Sequence, residues 1–209
     1  MRLATPVLLM AALFFVVPAG GAFASNGGCR HDKPCLGSGT DDHLMGTGEN
    51  DRILARGGRD FVDARGGSDT VLGGPGDDGE EFVRGGLFGD SPKMSANSSR
   101  DGNDMLYGGD GRDWLYGFGG SDLLVGGGGA DYILAGEFRM SMSRPGVATS
   151  KNPGVDIVSA GDGGDHIETI DRRRDIIDCG SGLDAVWFDV RLDVVSPNCE
   201  RKNFIFGQG

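Results

Sequence analysis

Three consecutive nine-residue units decide how this chain reads: GGDGRDWLY from Gly108 to Tyr116, GFGGSDLLV from Gly117 to Val125, and GGGGADYIL from Gly126 to Leu134. Each opens on glycine, reaches aspartate at its sixth position and places Leu or Ile at its eighth. Six residues dominated by glycine and aspartate cannot form a regular element, so they read as a turn. Glycine permits positive φ there and lets backbone carbonyls crowd towards one point. The remaining three residues, x-U-x with U a large aliphatic, read as a short strand whose middle side chain points inward.

The spacing continues on both sides. Asp42, Asp51, Asp60, Asp69 and Asp78 are nine apart, as are Asp104, Asp113, Asp122 and Asp131, then Asp156 and Asp165, then Asp175, Asp184 and Asp193. The residue two positions after each aspartate is an independent test, because it played no part in choosing the phase. It is Ile, Leu or Val in thirteen of fourteen cases, with Glu80 the exception. Repeats of this kind stack into solenoids. Two units close one coil of 18 residues, with a turn on each edge and an aliphatic spine between two sheets. The predicted fold is therefore all-β: a parallel β-roll, a β-helix-like solenoid of nonapeptide repeats with two loop insertions and a C-terminal cap. Turns on one edge come from alternate repeats, so Asp113 is expected to face Asp131, and Asp104 to face Asp122.

The units resemble the RTX, or haemolysin-type calcium-binding, repeat with its pattern G-G-x-G-x-D-x-U-x. The resemblance is tightest in the central block, and imperfect copies extend over most of residues 37–196. It implies a parallel β-roll, an exported location, and calcium ions shared by the aspartates and turn carbonyls of repeats n and n+2. Carried onto this chain, the pairs are Asp51 with Asp69, Asp60 with Asp78, Asp104 with Asp122, and Asp113 with Asp131, with Asp156 and Asp165 as further ligands. The matching turn glycines are Gly109, Gly111, Gly120, Gly127 and Gly129. Elementary chemistry agrees with this. Carboxylates stacked at coil spacing repel one another unless a cation lies between them, and calcium accepts 6–8 oxygens with loose geometry. Magnesium prefers to keep its waters in a tight octahedron. A metal-free solenoid with solvated aspartates is the competing reading, but it leaves the glycines unexplained.

Composition points the same way. Glycine supplies 40 of 209 residues, against a usual share of about 7%. Acids number 31, the net charge is −11, and 38% of residues are hydrophobic. So much glycine excludes a core of long helices, and the absence of a three-residue period excludes collagen. The negative charge disfavours nucleic acid. No H-E-x-x-H, G-x-S-x-G or EF-hand pattern occurs, and His31, His43 and His166 form no visible triad.

Residues 1–24 read as a signal peptide, with Arg2, an apolar run from Leu3 to Val17, and Ala22-Phe23-Ala24 as the cleavage site. Then come a segment with a cysteine pair (25–36), a first repeat block (37–90), a loop (91–98), the central block (99–134), a second loop (135–150), degenerate repeats with a cap (151–196) and a tail (197–209). Four cysteines allow three pairings. The economical one joins Cys29 to Cys35 and Cys179 to Cys199, stapling each end. The gaps from Asp78 to Asp104 and from Asp131 to Asp156 fall just short of three repeats and are read as loops leaving one edge, with GGLFGD (Gly85–Asp90) as a degenerate turn.

The repeats are not equivalent. Thr40 and Glu49 replace a glycine, and Glu80 at an inward position predicts an opened coil or a shifted register. Arg173 and Arg191 also replace glycine, and Arg172-Arg173-Arg174 precede Asp175, so arginine is expected to stand in for calcium at that end. Trp114, Tyr116, Tyr132 and Leu134 are expected on one outer sheet face, either as a glycan or partner surface or covered by the loop at Phe138.

The function read from this pattern is an exported calcium-binding β-roll with a structural, adhesive or interaction role at or beyond the cell surface. Its expected partners are calcium and an extracellular glycan or cell-surface component, without nucleic acid and without a membrane span after signal cleavage. The alternative is a calcium-dependent polysaccharide-acting enzyme (lyase, epimerase or hydrolase) on the same scaffold. Aspartate in every turn singles out no catalytic pair.

Overall fold

One inward aliphatic per nine residues leaves two sheets as the simplest way to enclose a core, and this is the arrangement observed. The computed structural model describes residues 27–30, 32–79, 86–90, 101–136 and 154–204. Among these the regular structure is entirely β, in two parallel sheets of nine strands each. The chain alternates between the sheets, so each strand pairs with strands one coil before and after it. Leu44, Val62, Leu87, Leu115, Ile133, Ile167 and Val186 from the first sheet meet Ile53, Val71, Leu106, Leu124, Val158 and Ile177 from the second, all at most 1% exposed. In the central block the register is a strict coil repeat, with Leu115 beside Ile133 and Leu106 beside Leu124.

The two sheets differ in a way that the three-residue expectation misses. First-sheet strands such as Trp114–Tyr116 and Tyr132–Leu134 are three residues long. Second-sheet strands of the middle coils run on into the following turn, as in Thr70–Pro75, Met105–Asp110 and Leu123–Gly128, while those nearer the ends, such as Arg52–Leu54 and Ile176–Asp178, stay short. The cause is backbone stacking: Gly109 has φ +126° and pairs with Gly74 and Gly127, and a Cβ on Gly127 would collide with the Gly109 carbonyl oxygen. These turns, leading from the second sheet to the first, form the glycine edge. The turns leading back form the variable edge, where non-glycine residues Arg65 and Phe118 hold φ of 85° and 73°.

Each interrupted stretch is one repeat with inserted residues. Asp78 and Asp69 bond to partners 35 residues on, against 18 in the central coils, and Asp122 and Asp131 to partners 34 residues on. Leu87, which no aspartate announces, takes the inward place beside Val62 and Leu115, so the register does shift after Asp78. Glu80 itself lies outside the described residues. Within GGLFGD, Leu87–Phe88 is a strand, and only Gly89 and Asp90 begin a turn. Both longer insertions leave the variable edge: the described chain stops at Asp90 and resumes at Asp101, then stops at Gly136 and resumes at Gly154. Ala135, expected in the second loop, still donates its N–H to the Glu168 carbonyl within the ladder. The loops, the leader and the last five residues lie outside the described residues.

Disulfides Cys29–Cys35 and Cys179–Cys199 close the two ends locally, as expected. The C-terminal end is longer than a cap stopping at 196: Arg201–Phe204, expected as tail, forms a strand beside Ala185–Phe188.

Candidate metal centre

From Asp60 onward the periodic aspartates close turns of the same design. The side chain reaches back one coil: Asp131 Oδ1 accepts the Asp113 N–H at 2.9 Å, and Asp122 Oδ1 accepts the Asp104 N–H at 2.9 Å. Asp60 with Asp78 (2.9 Å) and Asp51 with Asp69 (2.7 Å) repeat the contact. All four expected pairs are therefore neighbours in space. Asp156 and Asp165 join the same two stacks, accepting from Asp122 and Asp131 at 2.9 Å. The second oxygen is the chemically telling one. Among the described residues, Oδ2 of Asp60, Asp69, Asp78, Asp104, Asp113, Asp122, Asp131 and Asp165 is buried without a hydrogen-bond partner. The whole side chains are at most 2–3% exposed.

A buried carboxylate with one unsatisfied oxygen disfavours its own charge. Burial is the largest cause at every one of these positions, opposed by the amide bond and reinforced by neighbouring carboxylates. It pushes Asp60, Asp113 and Asp165 up to about 6, Asp104, Asp131 and Asp156 to about 7, Asp69 and Asp78 to about 8, and Asp122 to about 9, from 3.8. Near neutral pH such stacks must take up either protons or cations.

The donor set fits calcium. All the free side-chain atoms are hard oxygens, and the turn glycines bring carbonyls beside them. Gly109, Gly111, Gly120, Gly127 and Gly129 all have φ between +105° and +132°. Gly127 and Gly129 sit directly against the carbonyl oxygens of Gly109 and Gly111, and Gly120 against that of Gly102. In the central turns the first glycine has a second purpose, since a Cβ on Gly108, Gly117 or Gly126 would collide with the Oδ2 of Asp113, Asp122 or Asp131, whereas Ala55, Ala64 and Ala160 take this place in the turns of Asp60, Asp69 and Asp165. Glycine in the central turns thus keeps free the space around the unpaired oxygen.

The ends of the stacks are satisfied differently. Ser38 and Thr47 hydroxyls donate to Asp42 Oδ2 and Asp51 Oδ2, both at 2.9 Å, so hydroxyl groups close the first two turns. At the other end Asp193 Oδ1 accepts from the Asp175 amide, and its Oδ2 from Thr169 Oγ1 and the Asp189 amide. Arginine does not replace calcium at Asp175. Arg172, Arg173 and Arg174 are exposed, while Asp175 is fully buried with Oδ2 unpartnered, facing Asp171, Asp156 and Asp193, and burial pushes it up to about 8. The charge of Arg173 bears instead on Asp171, where it opposes the rise that burial imposes.

Two buried acids with unpartnered oxygens escaped the periodic reading, and Asp63, buried within a first-sheet strand, is a third acid outside it. Asp90 is 4% exposed with both oxygens unpartnered, and burial together with Asp104, Asp101, Asp122 and Asp69 pushes it to about 9. Asp171 is likewise 4% exposed with Oδ2 unpartnered. Neither falls in the aspartate column. The available signal for Asp90 was that it follows Gly89 as Phe118 follows Gly117.

The outer face of the first sheet carries the expected aromatics. Trp114 stacks on Tyr132 at 4.5 Å, Tyr132 on His166 at 4.7 Å, and His166 on Trp187 at 4.2 Å. Phe88 stacks on Tyr116 at 4.7 Å, with Phe118 packed on both, and Tyr116 and Leu134 are buried. Glu168 Oε1 accepts from Tyr132 Oη at 3.1 Å and lies 2.9 Å from His166 Nε2; these contacts hold its carboxyl below the usual range. The ring faces are largely spent on one another, so this ladder is chiefly a packing device.

The fold and the site together define a class: a parallel solenoid whose stacked acidic turns are built to hold hard cations. The model of the RTX calcium-binding nonapeptide repeat matches residues 36–71, 45–80 and 99–133, and the chain carries this family's repeats in several copies. It is a calcium-binding repeat protein. No curated protein matches the chain.

Proposed function

We propose that this is an exported β-roll whose folding is driven by calcium, with a structural or adhesive role outside the cell rather than a catalytic one. The observation that carries the reading is the row of buried, unpartnered Oδ2 atoms along both edges. Fully burying one aliphatic side chain contributes about 1.5–3 kcal/mol, while ordering even one backbone residue costs about 1–2 kcal/mol. A repeat with a single core residue therefore leans on its turns, and turns of uncompensated carboxylates oppose folding. Bound calcium reverses the sign of that contribution. Asp113 and Asp131 on the glycine edge, and Asp104 and Asp122 on the variable edge, would hold ions together with turn carbonyls. Export is supported by the charged start, apolar run and Ala22-Phe23-Ala24 of the leader, and by two disulfides, which persist in oxidising compartments. A non-catalytic role is supported by the near-equivalence of the acids from coil to coil, an arrangement suited to repeated binding rather than to one reacting pair.

Circular dichroism at pH 7.5 tests the folding claim: β signal in calcium and its loss in chelator are expected, and an unchanged spectrum overturns it. Sequencing the N-terminus of protein recovered outside the producing cells tests export, with Ser25 as the expected first residue.

A further inference from the structure

The turn from Thr169 to Asp175 is longer than its neighbours, since Asp156 and Asp175 are 19 residues apart where Asp104 and Asp122 are 18 apart. The lengthened turn carries Asp171, an acid outside the repeat pattern. Asp171 Oδ1 accepts the Arg173 N–H at 2.7 Å, and its Oδ2 is buried without a partner. Asp175 Oδ1 accepts the Asp156 N–H at 2.9 Å, and its Oδ2 is likewise buried and unpartnered. One carboxylate oxygen from each of Asp156, Asp171 and Asp175 lies within 4.8 Å of the other two. Arg173 acts on Asp171 from an exposed position, and the charged groups bearing on Asp175 are carboxylates.

We propose that Asp171 adds a third carboxylate to the stacked pair Asp156 and Asp175, making a three-carboxylate cation site, unlike the two-aspartate turns elsewhere in the repeat, that takes a calcium ion. Oxygens within 4.8 Å of one another fall inside the span one calcium ion can bridge. Two oxygens bound to one calcium at about 2.3–2.6 Å can stand up to about 5 Å apart, whereas magnesium at about 2.0–2.1 Å limits them to about 4 Å. Three carboxylates also outweigh the charge of the ion, so this site binds more tightly than a turn with two. The site rests on the calcium reading of the repeats only for the identity of the ion, because its geometry comes from Asp171.

The test is a calorimetric calcium titration of the full chain as wild type, Asp171→Asn and Asp113→Asn. Asp171→Asn is expected to bind one equivalent fewer, or to hold its tightest ion at least about tenfold more weakly, while Asp113→Asn keeps the tightest ion and loses a weaker one. Melting in chelator at pH 5, where protons take the place of metal, separates binding from mere support. Asparagine keeps the acceptor for Arg173, so the melting temperature there is expected to stay level or rise. A lower melting temperature with unchanged calcium binding overturns the inference in favour of a structural role. Wild type that binds calcium with Asp171→Asn indistinguishable from it overturns the site alone, and wild type that binds none overturns this site and the turn reading together.

Discussion

The two edges of the solenoid are built from the same period and have opposite characters. On the glycine edge, turns such as Gly108–Asp113 and Gly126–Asp131 stack backbone on backbone, and the second-sheet strands continue into them. On the variable edge the second turn position holds Thr47, Arg65, Asp90, Phe118 or Gly136, both long insertions leave the stack, and the extra buried acids Asp90 and Asp171 enter it. The glycine edge changes little in its central coils, because a Cβ on Gly109, Gly111, Gly127 or Gly129 has no room there; Arg56 at φ 84° and the residues inserted between Asp78 and Leu87 mark the limits of that constraint. The stack survives insertion because each aspartate reaches back to the preceding coil whatever loops out before it, as the Asp69–Asp104 bond shows on the variable edge. Tight backbone stacking and variation are thus divided unequally between the two sides of one repeat.

The largest effect expected concerns both edges together. These carboxylates sit above 3.8 when folded, most between about 6 and 9, so the metal-free folded chain binds more protons than the unfolded chain. That contribution is fully present below about pH 4 and is lost as pH rises through about 6 to 9. In chelator the protein should hold β structure at pH 4–5 and lose it by pH 8. Calcium should abolish the dependence, and circular dichroism across pH in both conditions checks this. A metal-free form steadier at pH 8 than at pH 5 would break the comparison.

Next in size is the glycine edge itself. Gly127 has φ +119° with a carbonyl against it, whereas a Cβ on Gly128 would meet only Asp110 Oδ1 at 3.8 Å. Gly127→Ala should cost more than about 2 kcal/mol, and Gly128→Ala less than about 0.5 kcal/mol, by denaturant unfolding in saturating calcium. Asp113→Asn against Asp193→Asn follows. Asp113 Oδ2 is unpartnered and Asp193 is satisfied by protein donors, so only the first should reduce calcium uptake. The smallest effect is on the variable edge: Phe118→Ala removes a ring packed on Phe88 and Tyr116 and should cost about 1 kcal/mol with calcium affinity unchanged.

Much of this was legible in the sequence, because a nine-residue period fixes which aspartates and aliphatics share an edge or a core. The pairs Asp113 with Asp131 and Asp104 with Asp122 and the coil length follow from it, while the observed cysteine pairing is the economical one of the three the sequence leaves open. What stayed hidden was what the period does not encode. Leu87 lacks its aspartate because residues are inserted between Asp78 and the strand. Asp171 is an acid among many, and only the fold brings it within reach of Asp156 and Asp175. Of the arginines before Asp175, Arg173 bears on Asp171 rather than on Asp175, which their order in the sequence does not reveal.

The most direct measurement is a crystal structure grown in millimolar calcium. The account expects density for an ion at about 2.3–2.6 Å from carboxylate oxygens of the stacked aspartates in the central turns, Asp113 with Asp131 and Asp104 with Asp122. Water alone in those turns, with the carboxylates unbridged, would contradict it.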